Sequence, residues 1–201
     1  MNTQNKRVIW ERGQEGGHSR PINVDQLFAN LYEVTSILTK HNVRNWVSHG
    51  TMLGLYRDNG PIPWDDDADI GLDLRDRHLI GPALKELVEL GYFIPPEGDR
   101  TKPINAENMP WYDTVFIRDG EKVEGWWFER KMIANKNFFI YDEPRCGYDL
   151  RHPAEYYDDL QKYECRNKSF YIPNHIEDWL VMMYGTNWKT PNKNKKYNNQ
   201  R

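Results

Sequence analysis

From Asp65 to Leu74 apolar and acidic positions alternate. Ala68, Ile70, Leu72 and Leu74 fall on one side of an extended chain, and Asp65, Asp67, Asp69 and Asp73 on the other. This period of two predicts a strand whose apolar side packs on a core while the other side presents a row of carboxylates. Elsewhere the period lengthens. Leu27, Leu31, Val34 and Leu38 mark one face of a helix that starts after Asn23, with Gln26 placed for a capping box. Trp46-Val47 begins a short strand running into His49-Gly50-Thr51, and a second helix through Met52, Leu53, Leu55 and Tyr56 stops at Asn59-Gly60-Pro61. Beyond the acidic strand the spacing predicts a helix over about 77–90 closed by Gly91, a short strand at 92–95 and a Pro/Asn-rich loop over 96–110. Two strand-like runs, 114–118 and 122–129, flank Asp119-Gly120, a strong hairpin signal, and 131–134 with 138–141 suggest a second hairpin. A helix over about 175–184 follows Pro173-Asn174.

The bulk properties bound what such a chain does. Its 201 residues suit one domain with a real core, expected over 21–192. On either side lie a charged, Gly-rich arm (1–20), read as flexible or as a lid, and a polar basic tail (193–201). The formal net charge of −3 supplies no general attraction for nucleic acid. With 8 Trp and 12 Tyr the chain is too aromatic for a disordered protein. Cys146 and Cys165 make neither a disulfide framework nor a zinc signature, which suggests a reducing interior. No apolar run reaches the length of a membrane span and the N-terminus lacks a signal-like stretch, so a cytoplasmic location is expected.

Candidate chemistry centres on the acidic row. Carboxylates this dense repel one another unless a cation sits among them, and such oxygens suit hard divalent ions, Mg²⁺ or Mn²⁺. An EF-hand starting at Asp65 fits poorly, because Ile70 and Asp76 stand where that loop needs Gly and Glu. A strand, a Gly-Thr turn, a helix and then a strand bearing Asp-x-Asp together suggest a nucleotide site. Gly50 lets a phosphate approach the backbone, and Thr51 adds a hydroxyl. Arg57, on the same helix, either neutralises a phosphate or pairs with an aspartate. A two-ion site needs a third carboxylate, for which Glu124, mid-strand and beside a glycine, is preferred over Asp113. Trp64 either stacks on a base or cationic group, or braces the acidic turn. His49, His152 and His175 are not spaced as a metal set.

Two blocks carry a family resemblance. His49-Gly50-Thr51-Met52-Leu53-Gly54-Leu55-Tyr56-Arg57 followed by Ile62-Pro63-Trp64-Asp65-Asp66-Asp67-Ala68-Asp69-Ile70-Gly71 is similar to the signature of the LicD family of fukutin-related phosphotransferases. Ile172-Pro173-Asn174 and Tyr184-Gly185-Thr186-Asn187-Trp188-Lys189-Thr190-Pro191 resemble its closing motif. The resemblance implies an α/β fold of the α+β type: a nucleotidyltransferase-like mixed sheet flanked by helices, here with added β-hairpins. It also implies a LicD-like catalytic domain that moves a substituted phosphate, phosphocholine or a polyol phosphate, from a CDP-linked donor to a sugar hydroxyl of a glycan. The family's Gly-Ser/Thr turn maps onto Gly50-Thr51 and its metal aspartates onto Asp67 and Asp69, with Asp65 preceding them. Its third carboxylate maps most nearly onto Glu124, where the family has Asp. The alternative is a nucleotidyltransferase that transfers an NMP group to a sugar phosphate, a small molecule or a protein. A carbohydrate-binding module without CMP release is the non-enzymatic reading.

Overall fold

The computed structural model describes residues 22–96, 104–105, 107–110, 113–143 and 148–192; the arm, the basic tail, part of the 96–110 loop and Cys146 lie outside them. Helix α1 (Val24–Lys40) starts where expected, with the Asn23 side chain accepting the Gln26 N–H at 3.1 Å. The reciprocal half of the capping box is supplied from elsewhere. The Gln26 side chain donates to Asn30, and Glu121 Oε1 accepts the Asn23 N–H at 3.0 Å. The predicted stripe of Leu27, Leu31, Val34 and Leu38 is fully buried, each side chain contributing about 1.5–3 kcal/mol.

Six strands form the main sheet: β1 (Asn45–Val47), β2 (Ala68–Asp73), β3 (Asp113–Arg118), β4 (Glu121–Ile133), β5 (Lys136–Glu143) and β6 (Tyr148–Pro153). The order is β1-β2-β4-β5-β6, with β3 also paired to β4. Among the described residues only the β2–β4 pairing is parallel, so the chain must cross over between them. That crossover carries a 3-10 turn (Leu74–Leu79) and α3 (Ile80–Glu89), which packs on α1. Helix α2 (His49–Asp58) joins β1 to β2. A separate hairpin of β7 (Gln161–Cys165) and β8 (Lys168–Ile172) sits between the short α4 (Glu155–Asp158) and α5 (Ile176–Tyr184) in the chain. The result is a mixed sheet flanked by helices, as the fold class required.

Several elements differ from expectation. The runs at 122–129 and 131–134 are one strand, β4, whose first half pairs with β2 and β3 and whose second half pairs with β5. The helix expected over 77–90 begins as the 3-10 turn and becomes α-helical only at Ile80. The strand expected at 92–95 reduces to one bridge, Phe93 with Ile117. The acidic side of β2 is not an open row, since all six of its residues are buried. The indole of Trp46 lies on Gly71 so closely that a Cβ there would meet its ring at 2.1 Å. Asp73 is buried against Arg75, Nη2 to Oδ2 2.6 Å. Behind Trp46 stand Phe128, Phe139 and Tyr157, at ring-centroid distances of 5.6, 5.8 and 4.9 Å. The carboxylate row therefore ends at Asp69, where this aromatic core begins.

Candidate active site

Parallel pairing sets Asp69 of β2 directly beside Glu124 of β4. Asp67, one turn of the alternation upstream, reaches the same point. Ligand oxygens of Asp67, Asp69 and Glu124 all lie within 4.8 Å of one another, and those of Asp65, Asp66 and Asp67 form a second, overlapping group. Period two along β4 adds two residues that attention to acidic positions alone passes over. Lys122 Nζ donates to Glu124 Oε1 at 2.7 Å and stands 3.2 Å from Asp67 Oδ2. Trp126 Nε1 donates to Asp69 Oδ1 at 2.9 Å. The Asp69 backbone is clamped to the start of α2: its N–H donates to Thr51 Oγ1 at 2.7 Å, and its carbonyl accepts the Ser48 N–H at 3.0 Å. Thr51 thus fixes the metal-ligand candidate's backbone from within the fold.

The electrostatics follow from crowding like charges in a dry place. Burial, then the charges of Asp67, Glu124 and Asp65, hold the Asp69 carboxyl well above the usual range. Burial and the neighbouring Asp67 and Asp66 push Asp65 up to about 7. Burial and Asp67 raise Glu124, with Lys122 pulling the other way. Lys122 itself resists the effect of burial because Glu124 and Asp67 hold its proton. A donor set made of carboxylate oxygens, on two paired strands and the loop between Trp64 and Ala68, with repulsion that a cation relieves, fits a hard divalent ion.

Beside this cluster a cavity of about 250 Å³ is lined by Gly50, Arg57, Trp64, Asp65, Tyr184 and Trp188, among others. The two blocks of the family resemblance, far apart in the chain, meet on its walls. Arg57 is engaged by its neighbour Asp58, Nη2 to Oδ2 2.6 Å, and donates to the Trp188 carbonyl at 3.3 Å, so it pairs with none of the clustered aspartates. Trp64 is half-buried and packs on the core at the cavity edge. Asp113 begins β3 opposite Trp126 and lies outside the three-carboxylate group, although its charge still raises Glu124. His49 and His152 are buried and held neutral, pushed down to about 4 and about 3 by burial, and for His152 also by His49. His152 Nδ1 accepts from the Tyr157 hydroxyl at 2.5 Å, which in turn accepts from Trp179 Nε1 at 2.7 Å. A larger groove of about 760 Å³ opens beyond the far end of β2. Several of its charged groups are held by the fold: Arg44 donates to the carbonyls of Tyr157 and Asp158, Arg75 pairs with Asp73, and Asp76 accepts the Arg44 N–H. The clustered chemistry lies at the smaller cavity.

A mixed sheet that gathers carboxylates at the head of a parallel strand pair, beside a helix that opens with His49-Gly50-Thr51, has the make-up of a nucleotidyltransferase-type domain. The chain belongs to the LicD/FKTN/FKRP family, whose nucleotidyltransferase domain matches residues 42–175. It is 36% identical over 75 residues to the uncharacterized protein RP689 of Rickettsia prowazekii, covering 37% of this chain and 27% of that one. It is 27% identical over 128 residues to ribitol 5-phosphate transferase FKRP of Mus musculus, covering 59% and 26%. Among solved structures it is similar to the lincosamide antibiotic adenylyltransferase LnuA, at 10% identity and a TM-score of 0.47 over 76% of this chain and 83% of that one. The chain spans about a quarter of the length of these two relatives. Among the described residues no helix is long and apolar enough to cross a membrane.

Proposed function

We propose that the protein is a metal-dependent phosphotransferase that moves a substituted phosphate, phosphocholine or a polyol phosphate, from a CDP-linked donor to a sugar hydroxyl of a glycan. The observation that carries this reading is the convergence of Asp67, Asp69 and Glu124 within 4.8 Å, next to a cavity lined by Gly50 and Trp64. The family membership and the FKRP relative, named a ribitol 5-phosphate transferase, support the same class of reaction.

The roles follow from the charges. Asp67, Asp69 and Glu124 would hold Mg²⁺ or Mn²⁺, which when bound would neutralise the donor diphosphate and lower the pKa of the attacking hydroxyl. Gly50 and the first turn of α2 admit the donor phosphates, and Trp64 walls the pocket at the substituent or base. A carboxylate of the centre, Asp67 or Glu124, accepts the sugar proton. The new P–O bond forms to the sugar oxygen as the bond to the CMP oxygen breaks, and CMP leaves with that electron pair. Trp126 and Thr51 position Asp69 through its side chain and its N–H.

Incubation with CDP-choline, CDP-ribitol, CDP-glycerol and NTPs, each with Mg²⁺ or Mn²⁺ and a glycan mixture, tests the reading. It expects CMP from a CDP-linked donor. Pyrophosphate release from an NTP, with a nucleotide left on the acceptor, would instead establish NMP transfer, the activity for which the family's nucleotidyltransferase domain is named.

A further inference from the structure

We infer that Lys122 is the second cation of this centre: its ammonium fills the gap between Asp67 and Glu124, so the chain takes one divalent ion rather than a pair. The inference rests on the reading of Asp67, Asp69 and Glu124 as ion ligands, and it concerns how many ions they take.

Lys122 and Glu124 lie on the same side of β4, two residues apart, and β4 is held on both edges by β2 and β3. The lysine is therefore delivered to the cluster by the sheet itself, not by a free surface arm. Its Nζ sits 2.7 Å from Glu124 Oε1 and 3.2 Å from Asp67 Oδ2, with only 13% of the side chain exposed. Lysines in surface pairs of this chain differ sharply, at 62% exposed for Lys40 and 81% for Lys85. Burying an ammonium among acids is favourable only where opposite charge offsets its lost hydration, and here two carboxylates do so. The oxygens it bridges, one from the loop and one from the strand, are those a second ion would have to share. Ligand oxygens of all three acids also converge within 4.8 Å, so a single ion can be held by Asp67, Asp69 and Glu124 while the lysine bridges Asp67 Oδ2 and Glu124 Oε1. A compact, non-exchanging charge at this point also holds the two acids together before any ion arrives.

Electron paramagnetic resonance of bound Mn²⁺ distinguishes one ion from two, because ions sharing ligands are spin-coupled. Wild type is expected to bind one Mn²⁺ per chain with an uncoupled signal, and K122R, which keeps the charge, to do the same. K122M, which keeps the length and removes the charge, is expected to take a second ion and show a coupled pair; K122Q serves the same purpose if K122M does not fold. A coupled pair in wild type, or a single uncoupled ion in the charge-removing variant, overturns the inference and leaves the metal reading standing. No Mn²⁺ bound by wild type or by the charge-removing variant overturns the metal reading itself, and the inference with it.

Discussion

Replacing Asp65 by Asn should stabilise the ion-free protein at high pH and leave it unchanged at low pH. Asp65 sits partly buried beside Asp66 and Asp67, and burial together with their charges lifts its carboxyl from 3.8 to about 7. The folded state therefore prefers the protonated acid. Below about pH 4 both folded and unfolded chains hold the proton and the group costs nothing. As the pH rises toward 7 the unfolded chain gives up its proton first, and stability falls until the folded carboxyl also ionises. At about 1.4 kcal/mol per pH unit, the rise corresponds to at most about 4 kcal/mol. The Asn variant lacks this loss, so it should exceed wild type by about 2–4 kcal/mol at pH 8 and by about zero at pH 4. For a chain of this length that is roughly 4–16 °C in Tm. Urea or thermal unfolding in EDTA at pH 4, 6 and 8 measures it, and saturating Mn²⁺ should shrink the difference. A variant no more stable than wild type at pH 8, or equally stabilised at pH 4 and 8, would refute the argument that the acidic row is built against its own stability.

The third ligand is decided by comparing two neutralised acids: Glu124→Gln should lower turnover by about a hundredfold or more, whereas Asp113→Asn, outside the carboxylate group, should lower it far less. Thr51→Val keeps the shape but leaves the buried Asp69 N–H without its acceptor, a loss of about 1–3 kcal/mol in urea titrations that Thr51→Ser should largely restore. Gly71→Ala drives a Cβ to within 2.1 Å of the fully buried Trp46 ring, and calorimetry should show at least about 1–3 kcal/mol of destabilisation.

Much of this centre was legible because it is written in one short strand. The alternation from Asp65 to Asp73 placed Asp67 and Asp69 on one face, and the mid-strand position of Glu124 singled it out. What no local pattern reveals is that β2 and β4 lie side by side and parallel, the pairing that brings Glu124 to Asp69. Nor does alternation alone show that the acidic face is covered from Gly71 onward, because the cover is Trp46 from another strand. The hairpins divide in the same way. Asp119-Gly120, Ala134-Asn135 and Arg166-Asn167 all have two consecutive positive φ angles, the type I′ geometry. Only the first carries the residue pair that favours it, so the hairpin of β7 and β8 left no turn signal. Lys122 and Trp126 obey the period that Glu124 obeys, and extending the parity of β2 to β4 would have found them.

The central claim is that Asp67, Asp69 and Glu124 hold a divalent ion for phosphate transfer, and CMP release from a CDP-linked donor by wild type and Asp67→Asn tests it most directly. The account predicts release that needs Mg²⁺ or Mn²⁺, stops with EDTA and disappears in the variant while its circular dichroism is unchanged. Release by the folded variant at the wild-type rate, with excess Mg²⁺ or Mn²⁺, would contradict it.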